Sequence, residues 1–267
     1  MDKVAFTGST AAGRVIGAIC GEHLKRCSLE LGGKSAAIVL DDAELATTMQ
    51  GLKFASLVNN GQACIAQTRI LASRWRYDEV VDALAAMVGE LRVGDPTDPA
   101  TDIGPLVAEC QQARVEKYIA LGQEEEGARV VVGGDGMPAG VDRGWYVQPT
   151  VFAGASNDMR IAREEIFGPV LTVIPYDDVD DAVAIANDSE YGLAGAVWTS
   201  SPDRGLDVAR RVRAGIFGVN RDGWTSPPRS GGSRPRASGE STAARASPTT
   251  SRSRRSPRLR LPRQDQA

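Results

Sequence analysis

Short apolar runs closed by small-residue turns alternate along the chain with segments whose apolar positions recur every three or four residues. Val4-Ala5-Phe6-Thr7 ends on Gly8-Ser9-Thr10, after which Val15, Ile16 and Ile19 recur at helical spacing, predicting strand, tight turn and helix. Arg26–Leu31 and Ala36–Leu40 read as strands broken by Gly32-Gly33, and Asp42 is placed to cap an Ala/Leu-rich helix running to about Asn59. Asn60-Gly61-Gln62 follows as a loop. Arg69–Ser73 predicts a strand, and Asp78–Leu91 a helix with Val80, Val81, Leu84 and Met87 on one face. Gly94–Thr101 is a polar turn region. A helix over about Val107–Gln123, a strand at Arg129–Val132, a surface loop at 133–144 and a strand at Trp145–Phe152 come next. The series ends with strands Val170–Ile174, Ala194–Thr199 and Gly215–Val219 around helices Asp178–Asn187 and Pro202–Arg213. Alternation of this kind predicts an α/β fold built of βαβ units. No internal repeat is evident.

After Asn220 the pattern stops. Residues 221–267 hold nine Ser, six Pro and eleven Arg, with no Ile, Val, Phe or Met, and cannot bury enough apolar surface to offset their ordering entropy. A disordered basic tail is expected there. Its composition is also what a high-GC coding sequence gives when read out of frame, so a frameshifted end is expected beside the alternative of a natural tail. The opening strand is expected to be truncated too, because a parallel sheet needs neighbours that nothing before Val4 supplies.

Composition divides the molecule in the same place. The 267 residues carry a net charge of -3, but the tail contributes +8 from 11 Arg and 3 acids, leaving -11 on residues 1–220. An acidic body of this kind offers no footprint for nucleic acid; a tail of Arg, Ser and Pro without interleaved Phe or Tyr offers phosphate contacts but no stacking platform. Four irregularly spaced cysteines (Cys20, Cys27, Cys64, Cys110) and a single His23 exclude zinc-finger and disulfide-framework readings, so no metal is expected and a reducing cytoplasm is the expected setting. No signal peptide and no membrane-spanning run is evident.

Four constellations carry candidate chemistry. Gly8-x-Thr10-x-x-Gly13 is a relative of the dinucleotide fingerprint, with Thr in place of the middle Gly; the competing reading is an ordinary turn capped by Ser9 or Thr10. Glu30 ends a strand directly before Leu31-Gly32-Gly33-Lys34-Ser35, open to substrate or water as a general base, or else a surface carboxylate paired with Lys34. Cys64 lies on the loop Asn59-Asn60-Gly61-Gln62-Ala63-Cys64, where a thiol can be reached and act as nucleophile. His23 has no sequence relation to it, which argues against a Cys-His protease. Glu164-Glu165-Ile166-Phe167-Gly168-Pro169 reads on residue type alone as a solvated helix end and chain reversal.

Taken in order, Phe6-Thr7-Gly8-Ser9-Thr10, Glu30-Leu31-Gly32-Gly33-Lys34-Ser35, Gly61-Gln62-Ala63-Cys64 and Glu164-Glu165-Ile166-Phe167-Gly168-Pro169-Val170 closely resemble the signature set of the aldehyde dehydrogenase superfamily, including the spacing of 34 from Glu30 to Cys64. The resemblance covers about residues 1–220. It implies the end of a Rossmann-like cofactor domain at 1–30, a catalytic domain at 31–220 and the tail at 221–267. It further implies that Cys64 attacks an aldehyde to give a thiohemiacetal, that hydride passes to NAD or NADP, and that Glu30 activates the water that hydrolyses the thioester to a carboxylic acid. Gly8, Ser9 and Gly13 belong to the cofactor turn, Glu165 to the nicotinamide ribose and Phe167 to the nicotinamide. Retention of Glu30 argues against the CoA-acylating branch.

The family pattern also has a long segment before Phe6 and an oligomerising strand after Asn220, neither present here, so little activity is expected of this chain alone, and the homo-oligomeric habit of the family loses its interface strand. Two other readings stand beside this one: a non-catalytic protein with an Arg-rich nucleic-acid-binding tail, and a cofactor-independent esterase using Cys64 and Glu30.

Overall fold

The computed structural model describes residues 1–221, so the tail expectations lie outside the described residues. Two sheets organise the chain. The first is a parallel pair, β1 (Lys3–Thr7) and β2 (Arg26–Glu30), joined by α1 (Thr10–Glu22). The second has seven strands in the order β5-β6-β7-β4-β3-β8-β9. Its members are β3 (Ala36–Val39), β4 (Arg69–Ser73), β5 (Arg129–Val132), β6 (Thr150–Ala153), β7 (Val170–Tyr176), β8 (Ala194–Trp198) and β9 (Ile216–Val219). All neighbours are parallel except β5 and β6, which makes the chain an α/β protein as the alternation predicts. The helices are α2 (Leu45–Leu57), α3 (Tyr77–Gly89), α4 (Glu109–Glu124), the one-turn α5 (Arg160–Arg163), α6 (Val179–Asn187) and α7 (Pro202–Arg211).

The central strands are buried on both faces, and side-chain alternation sorts them into two cores. Ala37, Val39, Ile70 and Val173 face Leu52 of α2 and Leu84 of α3. Ile38, Leu71, Ile174 and Val197 face Ala182 and Val183 of α6 and Val208 of α7. A third cluster joins α4 to β6 and β7 through Val115, Ile119, Phe152 and Val170. Full burial of each Val, Leu, Ile or Phe among them contributes about 1.5–3 kcal/mol, which holds the sheet that positions the site. Among the described residues no helix is long and apolar enough to cross a membrane.

Two elements differ from expectation. Glu44, not Asp42, caps α2, its carboxylate accepting from the N–H groups of Ala46 and Thr47 at 3.0 and 2.8 Å. Asp42 is occupied elsewhere, accepting from Thr199 Oγ1 at 2.7 Å and pairing with Arg204 at 3.1 Å. The strand expected at Trp145–Phe152 begins only at Thr150. Pro149 has no N–H to donate, and the carbonyls of Trp145 and Tyr146 are taken by Leu106 N and Gln112 Nε2 at 2.8 and 2.9 Å.

Candidate active site

Four strands adjacent in the large sheet, β7, β4, β3 and β8, run parallel, so the segments that lead into them emerge along one edge. Those segments are 164–169 before β7, 61–68 before β4, 31–35 before β3 and 190–193 before β8. Three of the four candidate constellations are thereby brought together. The site lies at the N-terminal edge of the strands, opposite to the usual position of ligands in open parallel sheets.

The Cys64 loop is built by its own polar side chains. After α2 the chain turns through Asn59 and Asn60, both left-handed (φ 53° and 59°), and Gly61 (φ 73°). Asn tolerates that region because its side chain bonds locally. Asn59 Nδ2 donates to Gln62 O at 3.0 Å, and Asn60 bridges Gly104 N and Pro105 O, each at 3.0 Å. Gln62 Oε1 accepts from Val107 N at 3.0 Å. Gly61 abuts the carbonyl of Gly168, where a β-carbon would come within 2.2 Å of the oxygen. Cys64 is therefore held half-buried at the end of a clamped turn.

Glu30 and Glu165 both bear on that thiol. Burial first, then the Glu165 carboxylate and then that of Glu30, push the Cys64 thiol up. Glu30 is half-buried, its Oε1 makes no hydrogen bond, and no ion pair joins it to Lys34 among the described residues. Its backbone carbonyl accepts from Gly8 N at 3.0 Å, joining the first constellation to the second. Glu165 Oε1 accepts from Gly33 N at 3.1 Å, its Oε2 lies against Gly32, and burial raises its pKa. The solvated helix end expected there is formed by Glu164 alone, paired with Arg160 at 2.7 Å and accepting from Tyr118 Oη at 2.5 Å.

Ser9 caps α1, its Oγ accepting from Ala12 N at 3.3 Å, while Gly8 and Ser9 are exposed at the helix N-terminus. Gly13 is buried against Leu31, the close helix–strand packing that the last glycine of a dinucleotide fingerprint provides. Phe167 is half-buried with a left-handed φ of 65°.

Sequence reasoning passed over the residues that hold these segments. Arg114 donates to the carbonyls of Glu165 and Ile166 at 2.5 and 3.2 Å, and Gln111 to that of Phe167 at 2.7 Å, so α4 fixes the 165–167 turn. Arg69 is 2% exposed; its Nε donates to Lys34 O at 2.9 Å, and the rest of its guanidinium to Asn157 Oδ1 and to the carbonyls of Ile185 and Ala186. An arginine beginning a strand of otherwise small and apolar residues is the signal that could have found it.

The amino-acid sequence matches the aldehyde dehydrogenase family model over residues 1–245, and the chain belongs to that family. It is 55% identical over 220 residues to a geranial dehydrogenase of Castellaniella defragrans, covering 82% of this chain and 45% of that protein. A betaine aldehyde dehydrogenase of Brucella melitensis is 42% identical over 226 residues, covering 84% and 46%. An aldehyde dehydrogenase of Mycobacterium tuberculosis solved with NAD+ superposes with TM-score 0.81 at 55% identity, covering 83% of this chain and 45% of that one. A cysteine-to-alanine mutant of aldehyde dehydrogenase C of Pseudomonas syringae, solved with NAD+ and octanal, gives 0.80 at 41%, covering 86% and 46%. The chain spans about half the length of the relatives it matches.

Proposed function

We propose that this region oxidises an aldehyde to a carboxylic acid with NAD+ or NADP+, with residues 1–30 closing the cofactor domain and 31–220 forming the catalytic domain. The observation that carries the reading is Gly33, three residues after Glu30, which lies against the Cys64 carbonyl and donates its N–H to Glu165 Oε1 at 3.1 Å, so that the loop of the thiol and both carboxylate segments adjoin. As thiolate, Cys64 attacks the carbonyl carbon to give a thiohemiacetal, whose oxyanion accepts from the Cys64 backbone N–H. Glu30, its Oε1 free of protein partners, takes the proton of the water that hydrolyses the resulting thioester. The residues present suit a dinucleotide: exposed Gly8 and Ser9 at the start of α1 can meet a diphosphate, and the Glu165 carboxylate can accept from ribose hydroxyls beside Phe167. When bound, the nicotinamide supplies the hydride acceptor.

The 267-residue chain by itself turns over slowly in this reading, because β1 and β2 form a two-stranded sheet and α1 leaves Val15 and Ile19 60% and 51% exposed. Sheets of that size are marginal in water, and the cofactor turn depends on this one. Two assays of the purified chain test the proposal. An activated aryl ester is expected to release its phenolate in a burst that Cys64→Ala abolishes and that Glu30→Gln leaves without steady turnover; equal release by wild type and Cys64→Ala overturns the nucleophile. Reduced cofactor is expected to form from aldehydes far below the ~1–10³ s⁻¹ of ordinary enzymes, and turnover inside that range overturns the slow-chain reading.

A further inference from the structure

Two cysteines outside the site meet on adjoining elements. Cys20, 4% exposed, is in the last turn of α1, and Cys27, the second residue of β2, is exposed; both are free thiols. The reversal between them is tightly closed: Leu24 takes a left-handed φ of 50°, Leu24 N donates to Gly21 O at 3.1 Å, and Lys25 N donates to Cys20 O at 2.7 Å. Farther along the same pair of elements Gly13 packs against Leu31 and Gly17 lies within reach of Leu29 Cδ1, so the face of β2 turned to the helix carries Leu31, Leu29 and, by strand alternation, Cys27, which the closed reversal sets opposite the last helical turn that holds Cys20. A disulfide needs its two Cα atoms about 4.4–6.8 Å apart with the β-carbons turned toward each other, an approach that this packing of helix end on strand start favours.

We propose that Cys27 is a thiol-modification site for a low-molecular-weight disulfide such as glutathione disulfide, and that Cys20 resolves it into an intramolecular Cys20–Cys27 bond. The exposed Cys27 thiolate attacks one sulfur of the reagent, forming a mixed disulfide and releasing one thiol. Cys20 then loses its proton to solvent and attacks the Cys27 sulfur, expelling the second thiol. The two protein thiols lose two electrons in all, and the reagent, reduced by the same two, leaves as two thiols. The order follows from position. Cys27 is reached from solvent, and Lys25 and Arg26 beside it attract an anionic reagent. Cys20 is buried and its thiol is held up by burial and by Cys27, which makes it a poor first nucleophile but an adequate one against a disulfide formed on the facing residue of the strand. The bond ties the helix that Ser9 caps to the strand that ends at Glu30, beside the turn where Gly8 N donates to Glu30 O.

The test is made on the full 267-residue chain and needs no enzymatic activity. Incubation with excess glutathione disulfide, alkylation and tryptic digestion without reductant separate the cysteines, since cleavage after Lys25 and Arg26 leaves Cys20 on Val15–Lys25 and Cys27 on Cys27–Lys34. The expected product is these two peptides joined, lighter by two hydrogen atoms than their sum and absent after reduction. Cys20→Ser is expected to stop at a stable glutathione adduct on Cys27, and Cys27→Ser to leave Cys20 unmodified until the chain is denatured. Joining of Cys27 to Cys64 or Cys110, a mixed disulfide that persists in the wild type, or alkylation of both cysteines as free thiols overturns the proposal.

Discussion

The α-carbon of Gly33 lies against the backbone carbonyl of Cys64, so closely that a β-carbon would stand 2.1 Å from the oxygen. Gly33 N also donates to Glu165, so one residue touches the loop of the proposed nucleophile and the proposed ribose acid. Gly33→Ala must displace one of these segments, and a misplacement of about 1 Å can cost 10²-fold in a reaction of this kind. Burst acylation of Cys64 by an activated ester is expected to slow about 100-fold while the thermal midpoint moves little, the strain falling on loops rather than the core. Unchanged acylation would mean that the two loops are not rigidly coupled.

The Cys64 thiol is raised by burial, then by Glu165, then by Glu30, so removing either charge must lower it. The midpoint of the pH dependence of iodoacetamide labelling is expected to lie above that of an ordinary thiol. It is expected to fall in Glu165→Gln and, by less, in Glu30→Gln, with the double variant lowest. A midpoint unmoved by either substitution would place the carboxylates out of electrostatic reach of the sulfur.

Arg69 joins the segment before β3 to the end of α6 through one nearly buried guanidinium, and none of its four acceptors is a carboxylate. Arg69→Met leaves three carbonyls and an amide oxygen without their donor, each costing about 1–3 kcal/mol if it stays dry. A loss of at least ~3 kcal/mol is expected in urea unfolding. Arg69→Lys is expected to recover only part, because a point charge cannot reach acceptors spread around a planar fork. Equal stability of the Met and Lys variants would show that the fork geometry is immaterial.

Much of this fold was legible because its strands are short apolar runs bounded by turns: Arg69–Ser73 and Arg129–Val132 fall where periodicity puts them. The capping of α2 was misread because Asp42 and Glu44 are both competent caps, and only the packing of β8 beside β3 commits Asp42 to Thr199. Cys64 and Glu30 stood out locally, one on a glycine loop and the other before two glycines. The approach of Glu165 to the Cys64 loop across Gly33 was not legible from residue type, because it depends on strand order in the sheet, which brings segments a hundred residues apart to one edge. Gln111 and Arg114 escaped for the same reason: on a helix they read as solvated positions, and only the turn at Glu165–Phe167 gives them acceptors.

Lys34 supplies a pH dependence whose sign can be worked out. It is 2% exposed, and burial first, then the nearby Arg69 charge, lower its pKa to about 7. An unfolded lysine keeps its proton to about 10.4, so between these two values the unfolded chain binds one proton more than the folded one. Unfolding free energy must therefore rise with pH across that window, by up to ~1.4 kcal/mol per pH unit from this group, and the contribution levels off below the folded pKa, where both states are protonated. Cys20 and Cys64, whose thiols are raised, act the other way as pH passes the ordinary thiol value of about 8.5, and half-buried Tyr77 and buried Tyr176 do so nearer the ordinary tyrosine value, so the Lys34 contribution is read as a difference from Lys34→Met, which keeps all four. Urea unfolding at intervals of pH is expected to show wild-type stability climbing relative to Lys34→Met, with the difference between the two chains flattening below pH 7. A difference independent of pH over that range would mean that Lys34 keeps its charge in the folded protein, through solvent or a carboxylate reaching it.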